Sequence, residues 1–331
     1  MKNQFTIFEV SFLNKLATID VTLISNDKRV ADYLTYILLH KKYFLKIYSF
    51  VLAEALKCSS KQVKELSILD FGTGNGLLAI YAKYCGFKHV FACDNYSNFI
   101  EAAKILSQSI NIEIDEWMIC NEFDLVNKFS TKKIDVMVGT DVIEHIYGLN
   151  IFFSNIRTLN NHMITAFTTA SVHDNYFKRK KLEKLMKSDE LEYVKIRKNI
   201  IQNYDTSLNK NQLEALSEST RGLKENDILF YVDNYNKYRN LKTVKLGKYN
   251  TCDPITGNFT ERILCMNEYK ILYNKNNFHL EIKSGFYNVN NNIIKFIFLK
   301  CLNTFIHIFH KHYFGRIFTP LILLVGKPKK Y

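Results

Sequence analysis

The segment Ile68-Leu69-Asp70-Phe71-Gly72-Thr73-Gly74-Asn75-Gly76 constrains the fold of this chain more than any other. The apolar run SILDF at 67–71 reads as a buried strand that ends at a carboxylate, turns through three glycines and opens a helix over 77–86 that Gly86 stops. Glycines here allow positive φ and remove side chains, so a ligand can lie against the backbone. The same alternation of strand and helix signals then continues. HVFACD (89–94), WMIC (117–120), IDVMVG (134–139) and MITAFTT (163–169) read as strands, and residues 98–108 as a helix that Asn98 caps, with Glu101 three positions on. Strands separated by helices of about ten residues predict an α/β chain with a parallel sheet covered on both faces.

This core accounts for only part of 331 residues, more than one ordinary domain of about 100–200. Residues 1–60 are expected to form an N-terminal helical lid, because 31–57 runs without Gly or Pro and its apolar residues recur at helical spacing. The cofactor-type core spans 61–170. From 171 to 250 the chain is polar and Lys-rich with a helical period, as expected of a helical insertion capping the substrate. Residues 251–331 return to the core, with strands expected near 278–287 and 321–326 and an apolar helix over 292–312 between them.

Seven cysteines, an odd number without a CxxC pair, predict reduced thiols in a cytoplasm rather than a disulfide framework or a zinc site. MKNQFTIFEVSF lacks the basic-then-apolar pattern of a secretory signal, and no run reaches 18 uninterrupted apolar residues. The net charge of +13 is compatible with nucleic acid, an anionic membrane surface or a Lys-rich exterior.

Eighteen residues beyond Gly76, Asp94 ends the second strand, where a carboxylate can accept two hydrogen bonds from the vicinal hydroxyls of a ribose. A nucleoside-containing ligand follows. The dinucleotide fingerprint is GxGxxG, whereas this chain has GxGxG with Leu77 at the third position. Asp70 is poorly suited to a pyrophosphate and well suited to a ligand with an ammonium group. S-adenosylmethionine, which has a ribose, an amino-acid end and no phosphate, therefore fits better than NAD.

At this point the sequence resembles the class I S-adenosylmethionine-dependent methyltransferases. ILDFGTGNG is similar to their first motif, FACD to the acidic strand end, and IDVMVGTDVIEHI to the fourth-strand motif of the small-molecule branch that includes ubiquinone-type O-methyltransferases. The resemblance covers about 65–170. It implies a Rossmann-like, doubly wound, mostly parallel sheet of seven strands. It also implies that Asp70, Gly72, Thr73, Gly74 and Gly76 line the methionine and ribose portion and that Asp94 holds the ribose. Asn95 would flank the adenine, with Asn121 and Glu122 after the third strand as loose candidates for its amino group. Thr140 and Asp141 would face the methyl group, and no resident metal is expected.

The (D/N)PP(Y/F) motif of nucleic-acid and amide N-methyltransferases is replaced here by GTDVIEH, which argues against nucleic acid as a partner. The implied acceptor is a small or lipid-like molecule, methylated on oxygen. His145, with Glu144 beside it, is the candidate base by family position, against a reading in which both brace the next helix. A nicotinamide oxidoreductase and a non-catalytic cofactor-binding or membrane-associated module remain the alternatives. The apolar helix near the C-terminus, with Lys311, Arg316 and Lys327 nearby, adds peripheral membrane contact to the expectations.

Overall fold

The computed structural model describes residues 3–241, 247–289 and 293–329, and these fall into two compact units. The first comprises Met1–Ile143, Gly148–Ala170 and Tyr269–Tyr331; the second comprises Glu144–Tyr147 and Ser171–Glu268.

The first unit opens with helices α1 (Thr6–Lys15), α2 (Lys28–Leu39) and α3 (Lys41–Leu56). The Gly- and Pro-free stretch is two helices because the chain bends at His40, where φ is −110°. There follow β1 (Ser67–Phe71), α4 (Leu77–Tyr84), β2 (His89–Asp94), α5 (Ser97–Ser109), β3 (Glu116–Ile119), α6 (Leu125–Phe129), β4 (Val136–Thr140), α7 (Leu149–Leu159) and β5 (Ile164–Thr169). Every residue of β1 and β5 is buried, as strands covered on both faces require.

The second unit contributes α8 (Tyr176–Tyr204), α9 (Lys210–Ser219), α10 (Glu225–Tyr238) and a hairpin of β6 (Thr251–Cys252) and β7 (Phe259–Glu261). The chain then supplies α11 (Met266–Lys275), β8 (Phe278–Ser284), α12 (Ile293–Ile308), α13 (Tyr313–Phe318) and β9 (Ile322–Pro328).

The seven-stranded sheet has the order β3-β2-β1-β4-β5-β9-β8. Its first five strands are parallel, β9 runs antiparallel to β5, and β8 antiparallel to β9. This is the doubly wound, mostly parallel sheet that the strand–helix alternation predicts. The order reverses between β1 and β4, which opens a crevice at their C-terminal ends.

Residues 1–60 divide between two roles. Helix α3 packs on β4, β5 and β9 as a layer of the core, and its buried Glu54 pairs with Lys283 of β8 and with Lys57. Helix α1 rests on α3 and α4, where the Tyr81 hydroxyl donates to the Phe5 carbonyl at 2.8 Å and the Phe12 ring meets Tyr81 at 5.1 Å. Helix α2 reaches the strand ends, and so do Tyr43 and Tyr48 of α3. The cap expected at Asn98 is instead Tyr96, which stands at the N-cap of α5 without a side-chain bond. Asn98 donates to Asp27 Oδ2 at 2.7 Å, a partner 71 residues earlier that no local pattern reveals.

In the second unit, α8 is capped by Asn175, whose side chain accepts from Lys178 N at 3.1 Å. Its Leu182, Met186 and Ile201 are buried and its other faces are largely charged. Arg197 is fully buried: Nε donates to the Ser217 carbonyl at 2.9 Å, and the guanidinium grips Glu190, which also accepts from Thr251 Oγ1 at 2.6 Å. The boundary expected at 250 falls at Glu268, because the β6–β7 hairpin packs on α8. A parallel bridge between Val172 and Leu264 brings the two ends of this insertion together.

Candidate functional site

The candidate site is assembled at the C-terminal ends of β1, β2 and β4. Beyond Phe71, the amides of Gly72 and Thr73 both donate to the Cys93 carbonyl at 2.9 Å, which pins the glycine turn to the end of β2. Gly74 N donates to Asp94 Oδ2 at 2.9 Å, and Tyr96 N donates to Asp94 Oδ1 at 3.0 Å. Gly76, left-handed at φ 78°, starts α4. A Cβ on it would lie 2.5 Å from Trp117 and 2.8 Å from Ala103, so only glycine fits both the dihedral and the space.

Asp70 is almost fully buried and accepts from Thr73 Oγ1 at 2.6 Å. Burial drives its pKa up to about 7, against the pull of hydrogen bonds from Thr73 and the Ala79 amide. Asp94 is raised for the same reason, with amide hydrogen bonds and Arg29 working the other way. Asp141 is exposed at the end of β4 with φ 51°, a left-handed conformation uncommon outside glycine. Strained backbone of this kind recurs where a side chain must be aimed at a ligand. Thr140, half-buried, precedes it.

Helix α2 covers this crevice. A Cβ on Gly74 would meet the Tyr33 ring at 2.9 Å. Tyr33 keeps an exposed outer face, 38% of its surface, while burial of its phenol end and the charges of Asp141, Asp94 and Asp70 hold that phenol well above its ordinary range. Tyr48 and Tyr43 on α3 are raised likewise, burial first and Asp141 contributing to both. The position of α2 is fixed by Asp27, its N-cap, which accepts from Val30 N at 3.0 Å, the Tyr96 hydroxyl at 2.7 Å and Asn98. Hydrogen bonds from Tyr96, Val30 and Asn98 hold the Asp27 carboxyl down at about 2. Arg29 stacks over the Tyr96 ring at 5.2 Å. None of Asp27, Arg29, Tyr33, Tyr43 and Tyr48 belongs to a recognisable motif. Their only sequence signal is a polar and aromatic content unusual for helices expected to be simply amphipathic.

The structure thus brings Asp70, Gly72, Thr73, Gly74, Gly76, Asp94, Thr140 and Asp141 to one crevice. Asn95 is exposed just beyond β2. Asn121 and Glu122 are engaged elsewhere: Asn121 Oδ1 accepts from Phe123 N at 2.8 Å, and Glu122 Oε1 from Gly148 N at 3.0 Å, which ties it to the start of α7. Glu144 and His145 belong to the second unit. There Glu144 is buried, and His145 Nδ1 lies 2.8 Å from the Phe259 carbonyl. A carbonyl only accepts, so Nδ1 carries the proton and Nε2 presents a lone pair. Tyr147 is fixed by a 2.5 Å bond to Asp227 and by Arg262, which donates to its carbonyl at 2.9 Å and stacks on Phe259 at 3.7 Å.

The donor set distinguishes between ligands. Three carboxylates converge on the strand ends, and the buried Asn75 Oδ1 has no hydrogen-bond partner among the described residues. Acceptors of this kind suit a ligand with an ammonium, a sulfonium and ribose hydroxyls, and they repel a pyrophosphate. The turn puts no side chain over Gly74, and the Tyr33 ring covers its backbone instead, so a ligand reaches that backbone by displacing the ring.

An open sheet reversing between β1 and β4, a glycine turn and an acceptor-lined crevice make a Rossmann-like domain whose site suits S-adenosylmethionine. Comparison with known proteins agrees, since residues 43–186 match the family model described as a methyltransferase domain. The ubiquinone biosynthesis O-methyltransferase of Rickettsia prowazekii (strain Madrid E) is 32% identical over 103 residues, 31% of this chain and 39% of that protein. The ribosomal protein L11 methyltransferase of Paraburkholderia phymatum is 39% identical over 67 residues, 19% of this chain and 22% of its own length. The alignments with the ubiquinone-type relatives span about two fifths of those proteins. Among solved structures, the YcgJ protein of Bacillus subtilis has a TM-score of 0.43 and 11% identity, covering 85% of this chain and 99% of that one.

Proposed function

We propose that this protein transfers a methyl group from S-adenosylmethionine to a hydroxyl of a small or lipid-like acceptor. The observation that carries this reading is the acceptor-lined crevice of Asp70, Asp94 and Asp141 beneath Tyr33. The cofactor supplies a sulfonium-activated methyl group when bound. Asp94 would accept from the ribose hydroxyls with lone pairs left beyond its bonds to Gly74 and Tyr96, and Asp70 would receive the ammonium end, directly or through water. Tyr33 and Tyr48 would exclude water and align the ligand, which supplies much of what an in-line displacement asks of a protein.

Oxygen methylation additionally requires removal of a proton, and the likeness of GTDVIEH to the fourth-strand motif is what supports His145 as the base. With Nδ1–H held by the Phe259 carbonyl, Nε2 is the atom that accepts the proton. Glu144 is assigned to the same segment as a positioning residue. Seven free cysteines support a reducing, cytoplasmic setting. Among the described residues no helix is long and apolar enough to cross a membrane.

The test is incubation of the protein with methyl-labelled S-adenosylmethionine and a metabolite and lipid extract, followed by identification of the labelled product. A labelled methyl ether supports the reading. Tight NADH binding with none of S-adenosylmethionine, or S-adenosylhomocysteine binding with no label ever leaving the cofactor, overturns it.

A further inference from the structure

Helix α12 departs from the rest of the first unit in how little it buries. Of its 16 residues only Ile306 is buried, although the helix is among the most apolar segments of the chain. Leu299, Leu302 and Asn303 are half-buried on the side of Ile306. At 3.6 residues per turn, Ile294, Ile297, Phe298, Cys301, Phe305 and Ile308 share one sector roughly 100° wide. They are exposed, Ile294 by 77%, Phe298 by 64% and Ile308 by 64%. Helix α13 continues this surface with Tyr313, Phe314 and Phe318, and Phe305 packs against Phe318 at 5.7 Å.

The sequence of this surface carries cations without acids, although Glu281 of β8 pairs with Lys311 at 3.5 Å and Glu9 of α1 lines the same cavity as Lys300. From Gly285 to the last residue the sequence holds seven Lys or Arg and no Asp or Glu. Lys295, Lys300 and Lys311 are exposed on and beside α12.

We infer that α12 and α13 form a docking surface for an anionic lipid bilayer, with the apolar sector of α12 lying in the interface. Apolar area adjoining cations is the pattern by which a helix lies on such a surface. At 1.5 Å per residue α12 is about 24 Å long, short of the ~30 Å a span requires, so the helix rests in the plane. A second copy of this chain is the less favoured occupant, because a two-fold interface brings the same patch together and would set Lys295 and Lys300 against like charge. This inference stands apart from the methyl-transfer reading, since it uses no residue of the crevice.

The experiment uses the full chain with a fluorophore on Cys301, the exposed thiol among the seven free cysteines. It is mixed with vesicles of phosphatidylcholine alone or of phosphatidylcholine with phosphatidylglycerol. Expected are co-sedimentation and a blue shift with the anionic vesicles, weakening as salt is raised. The double substitution Ile294→Asp, Phe298→Asp should weaken vesicle binding by at least about tenfold. Lys295→Glu with Lys300→Glu should remove the preference for anionic lipid. Circular dichroism and S-adenosylhomocysteine affinity, unchanged in both variants, control for folding. Folded wild-type protein that ignores anionic vesicles overturns the inference, as does concentration-dependent dimerisation that the apolar double substitution abolishes without any vesicle binding.

Discussion

Replacement of Asp70 by Asn should make the ligand-free protein more stable and a poorer cofactor binder at once. The carboxyl is buried and its pKa rises from 3.8 to about 7, so the folded chain holds a proton that the unfolded chain has released over that window. Stability associated with Asp70 is therefore complete below about pH 4, declines as pH rises towards 7 and is level above it. At about 1.4 kcal/mol per unit, the whole window amounts to the order of 4 kcal/mol, a ceiling for a site that water can enter. Asparagine keeps the size and an acceptor oxygen for the Thr73 hydroxyl, at 2.6 Å in the parent, and removes the charge. Urea denaturation should show the variant gaining about 2 kcal/mol at about pH 8 and almost nothing at about pH 4. Calorimetry should show S-adenosylhomocysteine affinity falling about tenfold or more, with the proton released by wild type on binding near pH 6.5 lost in the variant. An equal stability difference at both pH values would refute the reasoning, because it would mean that the carboxyl does not titrate in that window.

Gly74→Val should abolish S-adenosylhomocysteine binding and also lower the melting temperature, since valine is strained at φ 53° and presses on the Tyr33 ring; calorimetry on the monodisperse variant checks the binding. Gly76→Ala should instead lower the melting temperature, because its Cβ would press on Trp117 and Ala103 at a left-handed residue. His145→Ala should reduce turnover by about 10²–10⁴ if Nε2 is the base, with cofactor affinity retained, as measured by single-turnover kinetics. Arg197→Ala should destabilise the second unit by about 3–5 kcal/mol, read by urea titration, because it leaves Glu190 without its buried partner.

The parallel half of the sheet was legible in the sequence because each of its strands is a short apolar run bounded by glycine or charge, and because β1 opens into GTGNG. The residues of the crevice on β1, β2 and β4 were legible for the same reason: strand ends and glycine turns are written locally. What could not be read lies on α2 and α3. Tyr33 reaches Gly74 across some forty residues, and Asp27 reaches Tyr96 and Asn98 across some seventy, so neither contact leaves a periodic trace. Asn98 shows the cost of local reasoning, for its side chain suits a cap and serves a distant carboxylate instead. Glu122 likewise has a partner that no local pattern shows, Gly148 N, 26 residues on. The same long range explains why α3 belongs to the core, since its burial depends on β4 and β5, about a hundred residues later, and on β9, nearly three hundred later.

The bridge between Val172 and Leu264 bears on how this protein can change over evolutionary time. An excursion whose ends are held side by side imposes nearly the same closure entropy on the sheet whatever its length, as each doubling adds only about 0.6 kcal/mol. Helices can accordingly be added, trimmed or exchanged between those two residues while β5 and β9 keep their pairing. Diversification of α8, α9 and α10 and preservation of the crevice are thereby separable, provided the hairpin whose Phe259 carbonyl holds His145 is kept.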